Sequence, residues 1–335
     1  MSVVSLLKAG PNTTLQDLGR EGFLKYGLSR GGAMDRHALL EASALLGGDM
    51  SIAAIETPTG LQATVSAPQR VALTGAPMKA DIDGRALRWN ASHILMPDEV
   101  LTLRPSGRGV YGYVAFGGGF DERKQLGSVA THLGARLGKG LQGGDQLKLG
   151  QDNNLAAPPL AVPIADRFSG GRLRFVTGPQ TEHYSVDVFE RFVATRFRKS
   201  GQANRQAAKL EHAGAGFNAT DQLGVVSDVI VPGDIQMTGA GEPYVLMAEC
   251  QTIGGYPRIG AVLEEDMPVV AQAAPDSELW FEVISLEEAD RLFTPERDVL
   301  RRFRDISEPV IRSPHDIANL LSYQLISGAV AGDEE

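Results

Sequence analysis

Between Glu249 and Tyr256 the chain reads ECQTIGGY, a carboxylate, a carboxamide, two hydroxyls and a glycine pair within eight residues. A carboxylate can take or orient a proton, an amide can both donate to and accept from an amide substrate, and a bare backbone admits close approach of an oxyanion or phosphate. Glu249, Gln251 and Tyr256 are the candidate catalytic residues, with Thr252, Gly254 and Gly255 as substrate contacts. A second group lies upstream, where Gln16, Asp17, Arg20, Asp35 and Arg36 fall in a glycine-rich run, Gly10–Leu39, ahead of a helix. Asp35 and Arg36 are expected to orient groups toward the substrate; an N-cap and turn residues would account for the same pattern.

The element that delivers the first group is the apolar run Tyr244–Ala248, expected as a buried strand, with Tyr256-Pro257 stiffening its exit. Short apolar runs ending in Gly, Pro or Asp recur along the chain, as in RVALTGAP (Arg70–Pro77), GVYGYVAFGGG (Gly109–Gly119) and LRFVTGPQ (Leu173–Gln180). That pattern predicts a mainly β protein with few helices. Helices are expected at Met34–Leu46, capped by Asp35, at Thr181–Phe192, and at Ser285–Leu292, capped by Ser285 with Glu288 in the capping-box position. The halves also rhyme: VALTGAP with FVTGPQ, YVAFGGG with YVLMAECQTIGG, and GGDQLKL with APDSELWF. The reading is a duplicated β unit, with residues 1–150 as one domain, 151–166 as linker, 167–290 as the second domain and 291–335 as a peripheral tail.

Composition narrows the chemistry. The 335 residues carry a formal net charge of −9, against the basic surface that nucleic acid or an anionic membrane would require. One cysteine, Cys250, excludes an internal disulfide and fits a reducing, cytoplasmic setting. The start has no basic leader pattern, and no run reaches about 20 apolar residues, so neither a signal peptide nor a membrane span is expected. The six histidines never fall at helical metal spacing, so no metal site is expected. Gly117-Gly118-Gly119 lacks the Lys-Ser/Thr ending of a phosphate loop, and Pro77-Met78-Lys79-Ala80 lacks the second methionine of a biotin-attachment hairpin. His183, at an expected strand-to-helix turn, stands out among the histidines, and Cys250 beside Glu249 is a poor nucleophile.

The stretches GPNTTLQDLGREGFLKYGLSRGGAMD, IETPTGLQATV, YVAFGGGF, LGSVAT, GGDQL, VTGPQ and PGDIQMTGAGEPYVLMAECQTIGGYPRIGAV occur in an order that resembles the allophanate hydrolase subunit 2, or biotin-dependent carboxyltransferase, family. The resemblance implies cyclophilin-like β-barrel domains and a homologous subunit 1-like (Kip inhibitor-like) partner that completes the active site. It further implies a subunit of a hetero-oligomeric ATP-dependent 5-oxoprolinase, with a LamB/YcsF-type subunit as third component and ATP at a site shared with or on the partners. The same resemblance allows a carboxyltransferase subunit served by carboxybiotin carried on another chain, or a non-catalytic regulator of its partner. The chain departs from the family at Glu249-Cys250, where Asp-Arg is usual, at Ser29-Arg30-Gly31-Gly32, and at Arg205–Leu210, where Ala208 replaces an aromatic.

Overall fold

The computed structural model describes residues 2–220 and 226–310. Strands dominate it, and short glycine-punctuated segments form two stacked sheets and a closed barrel. The first sheet has six strands in the order 146–149, 2–9, 61–65, 101–105, 78–82 and 85–86. The second has seven, in the order 14–16, 54–57, 112–116, 69–75, 91–95, 160–161 and 308–309.

Alternation of side chains across the second sheet decides what covers each face. Val71, Leu73 and Val114 point to a core shared with Val4, Leu6, Leu61 and Leu101 of the first sheet. Ala72, Tyr113 and Ala115 point the other way, toward helix α1, Arg36–Leu46. Small residues on that face let α1 lie close, and Thr74 Oγ1 donates to the Ala38 carbonyl at 2.8 Å. Asp35 caps α1 as expected, accepting from the Ala38 N–H at 3.2 Å.

The barrel comprises strands 171–176, 258–262, 234–237, 243–246, 207–211, 197–199 and 278–283, closed by parallel pairing of 171–176 with 278–283. Its interior is aromatic: Phe192, carried by α2 (Val186–Ala194), stacks on Phe281 at 4.7 Å and meets Phe175, Phe197 and Phe217 edge-on or tilted. Ser185, inside the expected 181–192 helix, is the N-cap of α2, and a 3-10 turn precedes it at Thr181–His183. Helix α3 (Met267–Gln272) ends on Lys199, whose Nζ donates to the carbonyls of Val270, Ala271 and Ala273, each at 2.8 Å. Helix α4 (Leu286–Leu292) begins at Ser285, which accepts from the Glu288 N–H as the capping pattern requires.

Strand pairing does not repeat between the halves. Strand 69–75 hydrogen-bonds strand 112–116, whereas their sequence counterparts, 171–176 and 243–246, are not neighbours in the barrel. Part of the expected peripheral tail is helical and buries a core residue. In α5 (Glu296–Asp305), Leu300 is buried against Leu40 and Ala44 of α1. Residues 311–335 lie outside the described residues.

The sheets and the barrel are joined by buried charge. Arg167 donates to Asp35 Oδ2 at 2.7 Å and forks onto both oxygens of Glu41 at 2.9 and 2.8 Å, while Gln272 Nε2 of α3 donates to Asp35 Oδ2 at 2.8 Å. Asp35 and Glu41 are fully buried. Removing one partner of such a cluster strands the others, which costs about 3–5 kcal/mol. Arg167→Met should therefore lose stability on that scale in urea denaturation; a change under about 1 kcal/mol would mean the cluster is already neutralised without the arginine.

Candidate functional site

The glycine-rich run and the end of the 243–246 strand meet side by side. The Gly31 N–H donates to the Ala248 carbonyl at 3.0 Å, the Met247 N–H to the Gln206 carbonyl at 2.9 Å, and the Glu249 N–H to the Arg205 carbonyl at 2.7 Å. Close apposition needs glycine here: at φ +83° a Cβ on Gly32 would sit 2.7 Å from the Gly19 nitrogen, and one on Gly31 would press the His132 ring at 3.0 Å. Along this junction opens a cleft of about 410 Å3, lined by Ser29, His132, Gln206, Glu249, Gln251 and Thr252 with backbone from Gly134 and Ala135.

Arg205 fixes the cleft's floor. Its Nε donates to Glu249 Oε1 at 2.5 Å, its Nη1 to Glu56, and its Nη2 to the Gly32 carbonyl at 2.6 Å. Glu56 in turn accepts from the Met34 N–H at 2.8 Å and the Tyr113 hydroxyl at 2.6 Å. The second Glu249 oxygen accepts from the Gly134 N–H at 3.2 Å and lies 3.5 Å from His132 Nδ1. Both oxygens of Glu249 are thus committed, which suits an orienting carboxylate better than a base.

His132 is held in one tautomer. Its Nδ1 accepts the Ala135 N–H at 3.1 Å, so the ring proton resides on Nε2 and is donated to Ser29 Oγ at 2.9 Å. Burial holds the imidazole below its ordinary 6.5, with Arg20 and Arg205 acting the same way and Glu249 opposing them. With its oxygen accepting from neutral His132, the Ser29 hydroxyl keeps its own hydrogen for another acceptor, and Ser29 lines the cleft.

The expected site residues divide. Glu249, Gln251 and Thr252 line the cleft together. Tyr256, about half exposed, lines an adjoining pocket with Gln251. Gly254 lies in a two-stranded flap, 228–229 with 253–254, and neither it nor Gly255 has a left-handed φ, so the expected backbone freedom is not used there. A side chain at Gly254 would crowd Gln236 Nε2 at 3.0 Å and Ile230 at 3.1 Å. Asp35 is sealed in the Arg167 cluster and does not line the cleft. Arg36 lines a separate pocket, where it pairs with Glu296 of α5 and donates to the Leu18 carbonyl at 2.7 Å. Burial and the neighbouring Arg30 lower its pKa to about 9.

His183 sits in its turn at the end of the 3-10 segment and is not part of the cleft. Cys250 is buried and its thiol is pushed up to about 12 by burial and by Asp234, which leaves it a poor nucleophile. The sequence patterns do not single out Ser29, His132 or Arg205, although LGSVAT ends one residue before His132 and SRGG begins at Ser29. Among the described residues no His/Cys/Asp/Glu group could hold a metal ion, and no helix is long and apolar enough to cross a membrane.

The chain as a whole is of the carboxyltransferase type. The chain belongs to the family described as carboxyltransferase domain, subdomain A and B, which matches residues 26–283. It is 33% identical over 294 residues to the 5-oxoprolinase C subunit of Escherichia coli K12, covering 86% of this chain and 93% of that one. The crystal structure of TTHA0988 aligns with TM-score 0.72 at 27% identity, over 84% of this chain but only 55% of that longer one. The urea amidolyase of K. lactis shares the fold at TM-score 0.81 and 21% identity, over 93% of this chain and 21% of that one.

The lowered pKa of His132 has a sign. The unfolded chain binds a proton that the folded site resists, so stability present above pH 6.5 is lost as pH falls below it. Relative to H132N, the wild type should lose stability as pH falls below 6.5. Parallel stability–pH curves for the two proteins would rule out a neutral, desolvated imidazole.

Proposed function

We propose that this chain is the C subunit of a hetero-oligomeric ATP-dependent 5-oxoprolinase, which opens the 5-oxoproline lactam to glutamate. The observation that carries the reading is similarity along nearly the full length of the E. coli protein of that name. The cleft supplies chemistry suited to an amide. The Gln206 and Gln251 carboxamides and the Thr252 hydroxyl match the donors and acceptors of a lactam, and the Ser29–His132 pair offers a hydrogen to the carbonyl oxygen as charge develops on it or to the departing nitrogen. Glu249 holds the loop that presents these groups, through Arg205 and Gly134.

The residues that line the cleft do not fit a nucleotide. Among the described residues that line the cleft, Glu249 is the one carboxylate and there is no lysine or arginine. At the Gly117–Gly119 turn the Asp152 carboxylate, paired to Arg70 at 2.8 Å, already occupies the space beside Gly117. ATP is therefore assigned to the partners, a homologous subunit 1-like protein and a LamB/YcsF-type subunit, and no step is derived through it. With no lysine or arginine in the cleft lining, a cation for the substrate carboxylate is expected from the partner face. The motif order further supports cyclophilin-like units in both halves and a cytoplasmic complex; of the expected 151–166 link, Leu160–Ala161 is a strand of the seven-stranded sheet.

The family description favours one second reading, a carboxyltransferase subunit receiving CO2 from carboxybiotin on another chain. A purely regulatory subunit would bind its partner without turnover. Glutamate release from 5-oxoproline, measured for this chain co-purified with its partners and with each subunit omitted, should require all of them and ATP. Ser29→Ala should lower kcat about 10²–10³-fold with assembly unchanged, and Gln251→Ala should weaken substrate binding. An intact complex that releases no glutamate yet accepts CO2 from carboxybiotin would transfer the assignment to the second reading.

A further inference from the structure

Two stretches outside the cleft lie against each other, Leu15–Arg20 and Gln125–Thr131, and the second leads straight into His132. Asp17 accepts from Ser128 Oγ at 2.6 Å and from the Val129 N–H at 2.9 Å. Gln16 Nε2 donates to the Thr131 carbonyl at 3.1 Å, and the Thr131 N–H to the Leu15 carbonyl at 2.8 Å. Arg20 adds a fork, its Nε donating to the Gln125 carbonyl at 3.0 Å and its Nη2 to the Ala130 carbonyl. Its own backbone N–H donates to the Arg30 carbonyl at 2.8 Å, one residue past Ser29. A single residue thus ties the chain beside Ser29 to the chain beside His132, whose side chains meet at 2.9 Å.

Tethering two loops does not need an arginine. Arg20 is 2% exposed, both its acceptors are neutral carbonyls, and its Nη1 makes no hydrogen bond among the described residues. Neutral donors would hold the same carbonyls without burying a charge and an unmet N–H. What the cation adds is a field, and His132 lies within it. Burial does most to hold the imidazole below 6.5; Arg20 and Arg205 act in the same direction, and Glu249, 3.5 Å from Nδ1, opposes them. Arg20 does not line the cleft, so it reaches a substrate only through the pair.

We propose that Arg20 is the positioning residue of the Ser29–His132 pair, holding the two segments at the separation that lets His132 Nε2 donate to Ser29 Oγ. That the pair serves a cyclic-amide reaction rests on the reading of the chain as a 5-oxoprolinase subunit; the positioning does not. The full-length chain, labelled with 15N in histidine, is followed through its ring signals between about pH 5 and 8, with H132N to assign His132 and Ser29→Ala as the unbonded reference. The wild-type Nε2 proton should exchange with solvent more slowly than in Ser29→Ala. In Arg20→Met, checked for an unchanged thermal midpoint, that exchange should quicken at least about tenfold and the ring's titration midpoint should rise. Arg20→Lys keeps the charge without the fork, so its ring midpoint should stay low while exchange quickens.

In the assembled complex Arg20→Met should lower kcat about 10²-fold with KM unchanged, and the acid limb of the kcat profile should move up in pH with the ring. A merely structural arginine would move the thermal midpoint and leave the ring titration alone. A folded Arg20→Met whose ring titration and exchange match the wild type overturns the proposal; should that variant unfold, wild-type exchange in Arg20→Lys overturns it instead. Ring signals that respond as expected while the complex makes no glutamate would sink the oxoprolinase reading and leave the positioning standing. Glutamate turnover with an indifferent ring would do the reverse.

Discussion

Arg205 is the group on which the rest depends. One guanidinium reaches Glu249 at the end of a barrel strand, Glu56 in the second sheet and the Gly32 carbonyl in the N-terminal loop. A buried arginine is tolerated only when its donors are met, and here they are met by three segments far apart in sequence. The constraint is mutual: the loop, the sheet and the barrel must be in register for any of these charges to be buried. Arg167 repeats the device on α1 with Asp35 and Glu41. Two such clusters give the junction a geometry that apolar packing alone would leave free to slide.

Function at the cleft follows from that rigidity. Because Arg205 takes one oxygen of Glu249 and the Gly134 N–H takes the other, the 132–135 turn is fixed, and with it the Ala135 N–H that selects the His132 tautomer. The direction in which Ser29 presents its hydrogen is therefore set four contacts away from the cation. Preorganised donors of this kind act without reorganisation during a reaction.

Much of the architecture is legible in the sequence because its signals are local. Glycine-bounded apolar runs become strands, and Asp35 and Ser285 sit where capping chemistry puts them. The Glu249–Thr252 segment is visible as polar residues at a strand end. What escapes a reading of the sequence are properties of pairing. Asp35 resembles a substrate ligand because nothing near it in sequence announces Arg167, 132 positions away. Ser29 and His132 are 103 positions apart and ordinary in isolation; only their 2.9 Å contact makes them a unit. The difference in strand order between the halves is equally invisible, since short motifs report strands but not their neighbours.

The last described strand, Glu308–Pro309, lies at the edge of the seven-stranded sheet beside Leu160–Ala161. An uncovered edge offers a row of amide and carbonyl groups to any other extended chain. Glu308 and Pro309 occupy two places of that row, and Pro309 brings no N–H to it, so among the described residues it is the C-terminal segment of the same chain that covers Leu160–Ala161.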